Sequence, residues 1–477
     1  MMSAAANARW IGVIQLSKIG VQLLSIAVLS RLLAPQDFGL VALASAVSTF
    51  ALLFRDLGIA PAIIQSSQLD EATKSAAFWL SAAVGFLLCL LLVVAAPLIA
   101  ALMNAPDLVG ILALLALTFP VAGATVVHQA LLERASRFAL LARIEISSLV
   151  AGFSVAVLAA IHGAGAYSLV LQAFAIALFT SLQLWASAHW TPSRGWSLAR
   201  IQAIWKFSRN MLAFNIVNYF GRNADALIIG KFLGPAALGV YSVAYRTMLF
   251  PLNHLTFVAN RALFPVMSRR QTELGAVAAM YLRSVSVIAF FTAPLTAGLF
   301  VLREPFVLTV FGARWHAAAD LIAWLAPIGF VQSIVSASGP VFMALGRTAT
   351  LLRVTVAATI LHVIGFFIGV RWNINGVAMS YFTTNLIIAI PILVIVMRCL
   401  DARIGALFAA IRRPILLSLV MALAVHAARA EFASFVFPAA VELAALVAIG
   451  AGLYLTLAQF AAGALTRDVF NALTRRA

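Results

Sequence analysis

Arg31-Leu32-Leu33-Ala34-Pro35-Gln36-Asp37-Phe38-Gly39 returns as Lys231-Phe232-Leu233-Gly234-Pro235-Ala236-Ala237-Leu238-Gly239, each position matched 200 residues later. The same shift carries Gln15, Lys18, Gln22 and Ser25 onto Asn215, Asn218, Arg222 and Asp225. At about 100° per residue, steps of three, four and three keep each set on one helical face. Two copies of one plan, each with a polar stripe in an apolar helix, suit a transporter whose polar cavity lies between two lobes.

Composition fixes the solvent. Of 477 residues, 64% are hydrophobic and 10% charged, and the mean hydropathy of +1.05 lies far outside the range of water-soluble domains. A bilayer core of roughly 30 Å takes about 20 apolar residues per helix. On that measure the chain is predicted to be an all-α integral membrane protein of about fourteen spans. Six fall within residues 1–200 (an N-terminal lobe) and six within 201–400 (a C-terminal lobe). Two further helices and a cytoplasmic tail occupy 401–477.

Arginines recur in the even-numbered connections, for example Arg134, Arg137 and Arg143, then Arg269 and Arg270, then Arg412 and Arg413. Cytoplasmic loops retain Lys and Arg, so both termini are predicted to be cytoplasmic. The net charge of +17 therefore reports topology and affinity for anionic lipid headgroups rather than nucleic acid. Cys89 and Cys399 offer no metal-ligand spacing, the histidines are scattered, and no cofactor or metal is expected.

Charges inside the spans carry the chemistry, since each costs at least about 2.5–3.5 kcal/mol at mid-bilayer unless it faces protein or water. The candidates are Lys18, Arg55, Asp56, Arg222, Asp225 and Arg246, four cations to two anions. With Gln15, Gln22, Asn215 and Asn218 as hydroxyl partners, they predict a cavity for an anionic cargo. The other reading of Arg222 and Asp225 is that they only pair with each other. Arg31, Pro35 and Gly39, with Lys231, Pro235 and Gly239, are expected in matching short periplasmic turns where an outer gate closes. The plain alternative for these is helix stop and start signals.

The stretch from Ser30 to Gly39, continuing to Asp56-Leu57-Gly58, resembles the opening of polysaccharide-export flippases of the O-antigen (Wzx) type. So do Asn223 to Gly234, Leu238-Gly239-Val240-Tyr241, Ala244-Tyr245-Arg246 and Leu263-Phe264-Pro265-Val266-Met267-Ser268-Arg269. These flippases belong to the multidrug/oligosaccharidyl-lipid/polysaccharide exporter superfamily.

The resemblance implies a V-shaped pair of lobes that alternate in access. Such a protein moves an undecaprenyl-diphosphate-linked oligosaccharide, a unit of O-antigen, capsule or exopolysaccharide, across the bacterial inner membrane to its periplasmic leaflet. It also implies cavity-lining cations on helices comparable to those of Lys18, Arg55 and Arg246, and a groove for the polyprenyl tail on the last two helices. A polysaccharide polymerase and glycosyltransferases of the same pathway are its implied partners, with the coupling ion open. This is a carrier and not an enzyme. Two alternatives stay open: a proton- or sodium-coupled multidrug antiporter of the same fold, and a membrane polysaccharide polymerase or ligase.

Overall fold

The computed structural model describes residues 4–55, 59–65, 69–193, 198–251, 257–432 and 437–461, with the side chains of 4–16, 54–55, 61–62, 65, 198–218, 251, 257–262 and 461 left aside. Among the described residues every regular element is helical. The chain divides into two compact units, Met1–Gly239 and Val240–Ala477.

The first unit holds α1 (Ala4–Leu32), α2 (Pro35–Arg55), α3 (Ile59–Gln65), α4 (Glu71–Leu102), α5 (Leu108–Ala116), α6 (Thr118–Gly123), α7 (Val126–Arg134), α8 (Phe138–Ile161) and α9 (Tyr167–Ala188). It also takes most of α10 (Leu198–Pro251). Lipid is as apolar as leucine, so helices here associate by close approach and interhelical hydrogen bonds rather than by expelling water. α8 shows the device. Ser148, Gly152, Ala156 and Ala160 recur every fourth residue, are buried, and form a small-residue stripe on a helix packed against α1 and α9. On α4, by contrast, Phe86, Val94 and Leu98 point outward with more than half their surface exposed, an arrangement suited to a hydrocarbon solvent.

The second unit continues with α11 (Phe257–Arg269), α12 (Leu274–Val301), α13 (Arg303–Val310), α14 (Ala317–Ser336), α15 (Ser338–Ala344), α16 (Thr348–Gly369), α17 (Asn373–Cys399), α18 (Ile404–Phe432) and α19 (Ala439–Ala461). Tyr281, Val285, Val341, Phe342 and Val396 form one core. A second core joins Phe290, Leu302, Met421, Val425 and Leu446, with the Tyr454 hydroxyl donating to the Phe290 carbonyl at 2.8 Å.

Ten helices among the described residues are long and apolar enough to cross a bilayer, or eleven if α5–α6 and α7, bent by 44°, form one span. The expected fourteen is not confirmed by this count. Part of the difference is continuity. Residues Thr348–Cys399 run as one stretch of 52, which at about 1.5 Å per residue is roughly 78 Å and too long for a single crossing. It is interrupted by the 3-10 turn Val370–Trp372, after which Asn373 takes a positive φ of 66°. Likewise α10 is broken at Gly234, whose φ of 82° and ψ of 173° are open to glycine and costly for other residues. The chain is thus a multi-pass membrane protein.

Candidate functional site

In the first unit the polar stripe of α1 divides into two roles. Lys18 sits at the middle of the helix, its Nζ 2.7 Å from Oε2 of Glu145 on α8, with 39% and 33% of the two side chains exposed. Gln22, one turn on, is exposed. Ser25 is buried and accepts a hydrogen bond from Gln172 Nε2 of α9 at 3.0 Å. Further along α8, Ser147 Oγ donates to Gln183 Oε1 at 2.9 Å, and Gln183 Nε2 donates to Ser148 Oγ at 3.1 Å. A polar seam therefore ties α1, α8 and α9, and Lys18 and Gln22 are its exposed part.

The second stripe lies on α10. Arg222 is exposed, whereas Asp225 is buried and accepts the Ala226 amide at 2.8 Å. Gln15, Arg55, Asn215 and Asn218 lie on described helices, but their side chains, like Asp56 as a whole, fall outside the described residues. Just before Arg222, the Tyr219 hydroxyl donates to the Ala46 carbonyl of α2 at 2.9 Å, and the Tyr219 ring packs on Phe50.

The repeated motif meets itself. A Cβ on Gly39 would overlap the Pro235 carbonyl oxygen, and a Cβ on Gly239 would overlap the Pro35 carbonyl oxygen. Glycine is required at both because two backbones cross there in a reciprocal way. The motif is not a turn throughout: Pro35 opens α2, Pro235 follows the break at Gly234, and both glycines lie one turn into helix. Proline at a first helical position loses no hydrogen bond, which is why the same residue serves in both copies. Asp37 Oδ2 accepts the Ala34 amide at 2.8 Å and completes the start of α2. Lys231 Nζ donates to the Leu102 carbonyl at the end of α4, a favourable place for a cation on a helix terminus. Arg31 is exposed.

In the second unit, Arg246 on α10 is exposed. Nearby in sequence begins a neutral polar cluster that the residue pattern had not signalled. Tyr245 Oη and Tyr381 Oη lie 3.2 Å apart. Gln332 Nε2 donates to Tyr381 Oη at 2.5 Å and to Asn385 Oδ1 at 2.9 Å, and Asn385 Nδ2 donates to the Tyr381 carbonyl at 2.7 Å. The rings of Phe366 and His362 stack beside Tyr381. Glu145 was also missed, yet it is the only acid between Phe138 and Ile161 and could have been flagged on that ground.

Comparison with known proteins accords with this picture. The family model described as "Polysaccharide biosynthesis protein" matches residues 28–320. Teichuronic acid biosynthesis protein TuaB of Bacillus subtilis (strain 168) is 27% identical over 458 residues, 95% of this chain and 94% of that protein. Lipopolysaccharide biosynthesis protein WzxC of Escherichia coli (strain K12) is 26% identical over 385 residues, covering 80% and 78%. Among solved structures, the lipid II flippase MurJ in an inward closed conformation superposes with a TM-score of 0.77 at 13% identity, over 97% of this chain and all of that one, which establishes a shared fold.

Proposed function

Because the chain belongs to this polysaccharide biosynthesis family, we propose that it is a flippase for an undecaprenyl-diphosphate-linked oligosaccharide, moving it from the cytoplasmic to the periplasmic leaflet of a bacterial inner membrane. A partly exposed lysine at the middle of an apolar helix supports the reading: Lys18 of α1 is poorly suited to bare lipid and well suited to an anionic headgroup in water. Moving a diphosphate through low-dielectric hydrocarbon unaided costs on the order of tens of kcal/mol, so a wet cationic passage is the physical requirement. Lys18, Arg55, Arg222 and Arg246 would each offset part of the charge. Gln15, Gln22, Asn215 and Asn218 would meet sugar hydroxyls, while the polyprenyl tail stays in lipid.

Residues 1–200 and 201–400 would be the lobes that alternate access, with both termini cytoplasmic. The reciprocal crossing at Gly39 and Gly239 would be the fixed point of the outer gate. A polymerase and glycosyltransferases would act on the same lipid-linked glycan before and after transfer.

The deciding experiment is leaflet translocation of a fluorescent undecaprenyl-diphosphate oligosaccharide in proteoliposomes, comparing the native chain with Lys18→Ala and Arg222→Ala at matched insertion. Loss of flipping by folded variants supports the reading. Native-level flipping by both removes the cationic passage from it, and no flipping by the native chain with several sugar-lipids moves weight to ion-coupled drug export.

A further inference from the structure

Resting on that reading of Lys18, we propose that Glu145 sets a charge threshold for the cargo: it holds Lys18 until an anion carrying more than one charge displaces it. The two groups are 2.7 Å apart, and about a third of each side chain is open, so a headgroup can reach the ammonium without dismantling the fold. Glu145 Oε2 itself is closed to water and makes no hydrogen bond, so its compensation comes from the Lys18 charge. Taking that partner away leaves a shielded carboxylate uncompensated, which is costly. A ligand with one negative charge merely exchanges places with the carboxylate and gains nothing. A diphosphate, with about two charges and several oxygens for the three N–H donors of the lysine, gains enough to displace it.

The neighbours on α8 leave this competition to Glu145. Ile144 is buried, Ser147 is committed to Gln183, and Arg143 is exposed. Glu145 is then a specificity-determining residue that separates headgroups carrying two or more charges from singly charged ones, a role that a simple staple between α1 and α8 would not have.

The test is equilibrium binding, at about pH 5 where the monoester (second pKa about 6) carries about one charge and the diphosphate about two, of farnesyl diphosphate and farnesyl monophosphate to the detergent-purified full chain, with monodispersity checked by size exclusion. The native chain is expected to prefer the diphosphate by about tenfold, the factor that one displaced competitor of about 1.4 kcal/mol would give. Glu145→Gln should tighten the monophosphate and bring the ratio below about threefold, with Glu145→Asp in between because it keeps the charge on a shorter arm. Lys18→Gln should weaken both ligands. If Lys18→Gln weakens diphosphate binding while the ratio is unchanged in Glu145→Gln, the threshold is wrong and the cargo reading stands. Should Glu145→Gln fail to fold, an unchanged ratio in Glu145→Asp overturns the threshold in its place. If the native chain binds neither ligand, or Lys18→Gln changes nothing, the cargo reading falls and the threshold with it.

Discussion

The two copies of the repeat are alike in backbone and unlike in charge. At Gly39 and Gly239 each copy yields space to the other's proline carbonyl, and the demand for a missing side chain is the same in both. Seven residues before Ser25, by contrast, the first copy carries Lys18 in an ion pair with Glu145, while the position 200 residues later is Asn218. Among the described residues the second unit carries a neutral polar cluster built from Gln332, Tyr381, Asn385 and Tyr245. Backbone crossing is a steric constraint that any side chain violates, so duplication preserves it. Charge has no such constraint, so the two copies are free to differ where one has Lys18 and the other Asn218.

Four measurements test this contrast. The largest effect is expected at the crossing. Gly39→Val and Gly239→Val each place carbon where a carbonyl oxygen stands, and each should cost about 3 kcal/mol or more, above the usual range for overpacking because backbone must move. Thermal unfolding in detergent should show equal losses; a loss at only one of them ends the claim of reciprocity.

Next comes Lys18→Gln, which leaves the shielded Glu145 carboxylate without its countercharge and should slow flipping by about 10- to 100-fold, with a fall in thermal stability beside it. Gln332→Ala in the neutral cluster should leave flipping intact. Interhelical hydrogen bonds in membranes average about 0.6 kcal/mol and reach about 1.7, so a modest stability loss with flipping near native is expected. A flipping defect in Gln332→Ala as deep as that of Lys18→Gln would erase the contrast.

The smallest effect concerns Arg429 on α18, whose Nη2 lies 2.8 Å from Glu304 Oε2 on α13. The hydrogen bond from Arg429 is the main reason the Glu304 carboxyl titrates below its usual value of 4.5. A depressed folded value means that the stabilisation is complete above the unfolded value near 4.5 and fades as the pH falls through the lower folded one. Both side chains are partly exposed, so solvent screening holds the gain below about 1 kcal/mol. Stability profiles of native and Glu304→Gln should converge in acid and separate above about pH 5, less so at high salt.

Much of the architecture could be read from the residues. Hydropathy alone marks a membrane chain, and the recurrence of Pro35–Gly39 marks the duplication. Phase along α1 put Lys18, Gln22 and Ser25 on one face, and the structure leaves Lys18 partly exposed and Gln22 exposed. Phase failed at Ser25, which bonds to Gln172, because it says which side a residue occupies and not which helix stands there. Prolines and glycines also misled in one respect, since Pro35 and Gly39 read as a turn and in fact begin a helix and admit a crossing backbone.

The solvent, the helical periodicity and the recurrence of the Pro35–Gly39 motif follow from the residues alone, because each depends on local composition and spacing. Only the tertiary structure decided that Lys18 meets Glu145, that Gln332, Tyr381 and Asn385 join from two helices, and that Gly39 and Gly239 answer each other's prolines. Those pairings depend on which helices become neighbours, and in lipid that choice is made by close packing and hydrogen-bond satisfaction across the bundle rather than by any segment alone.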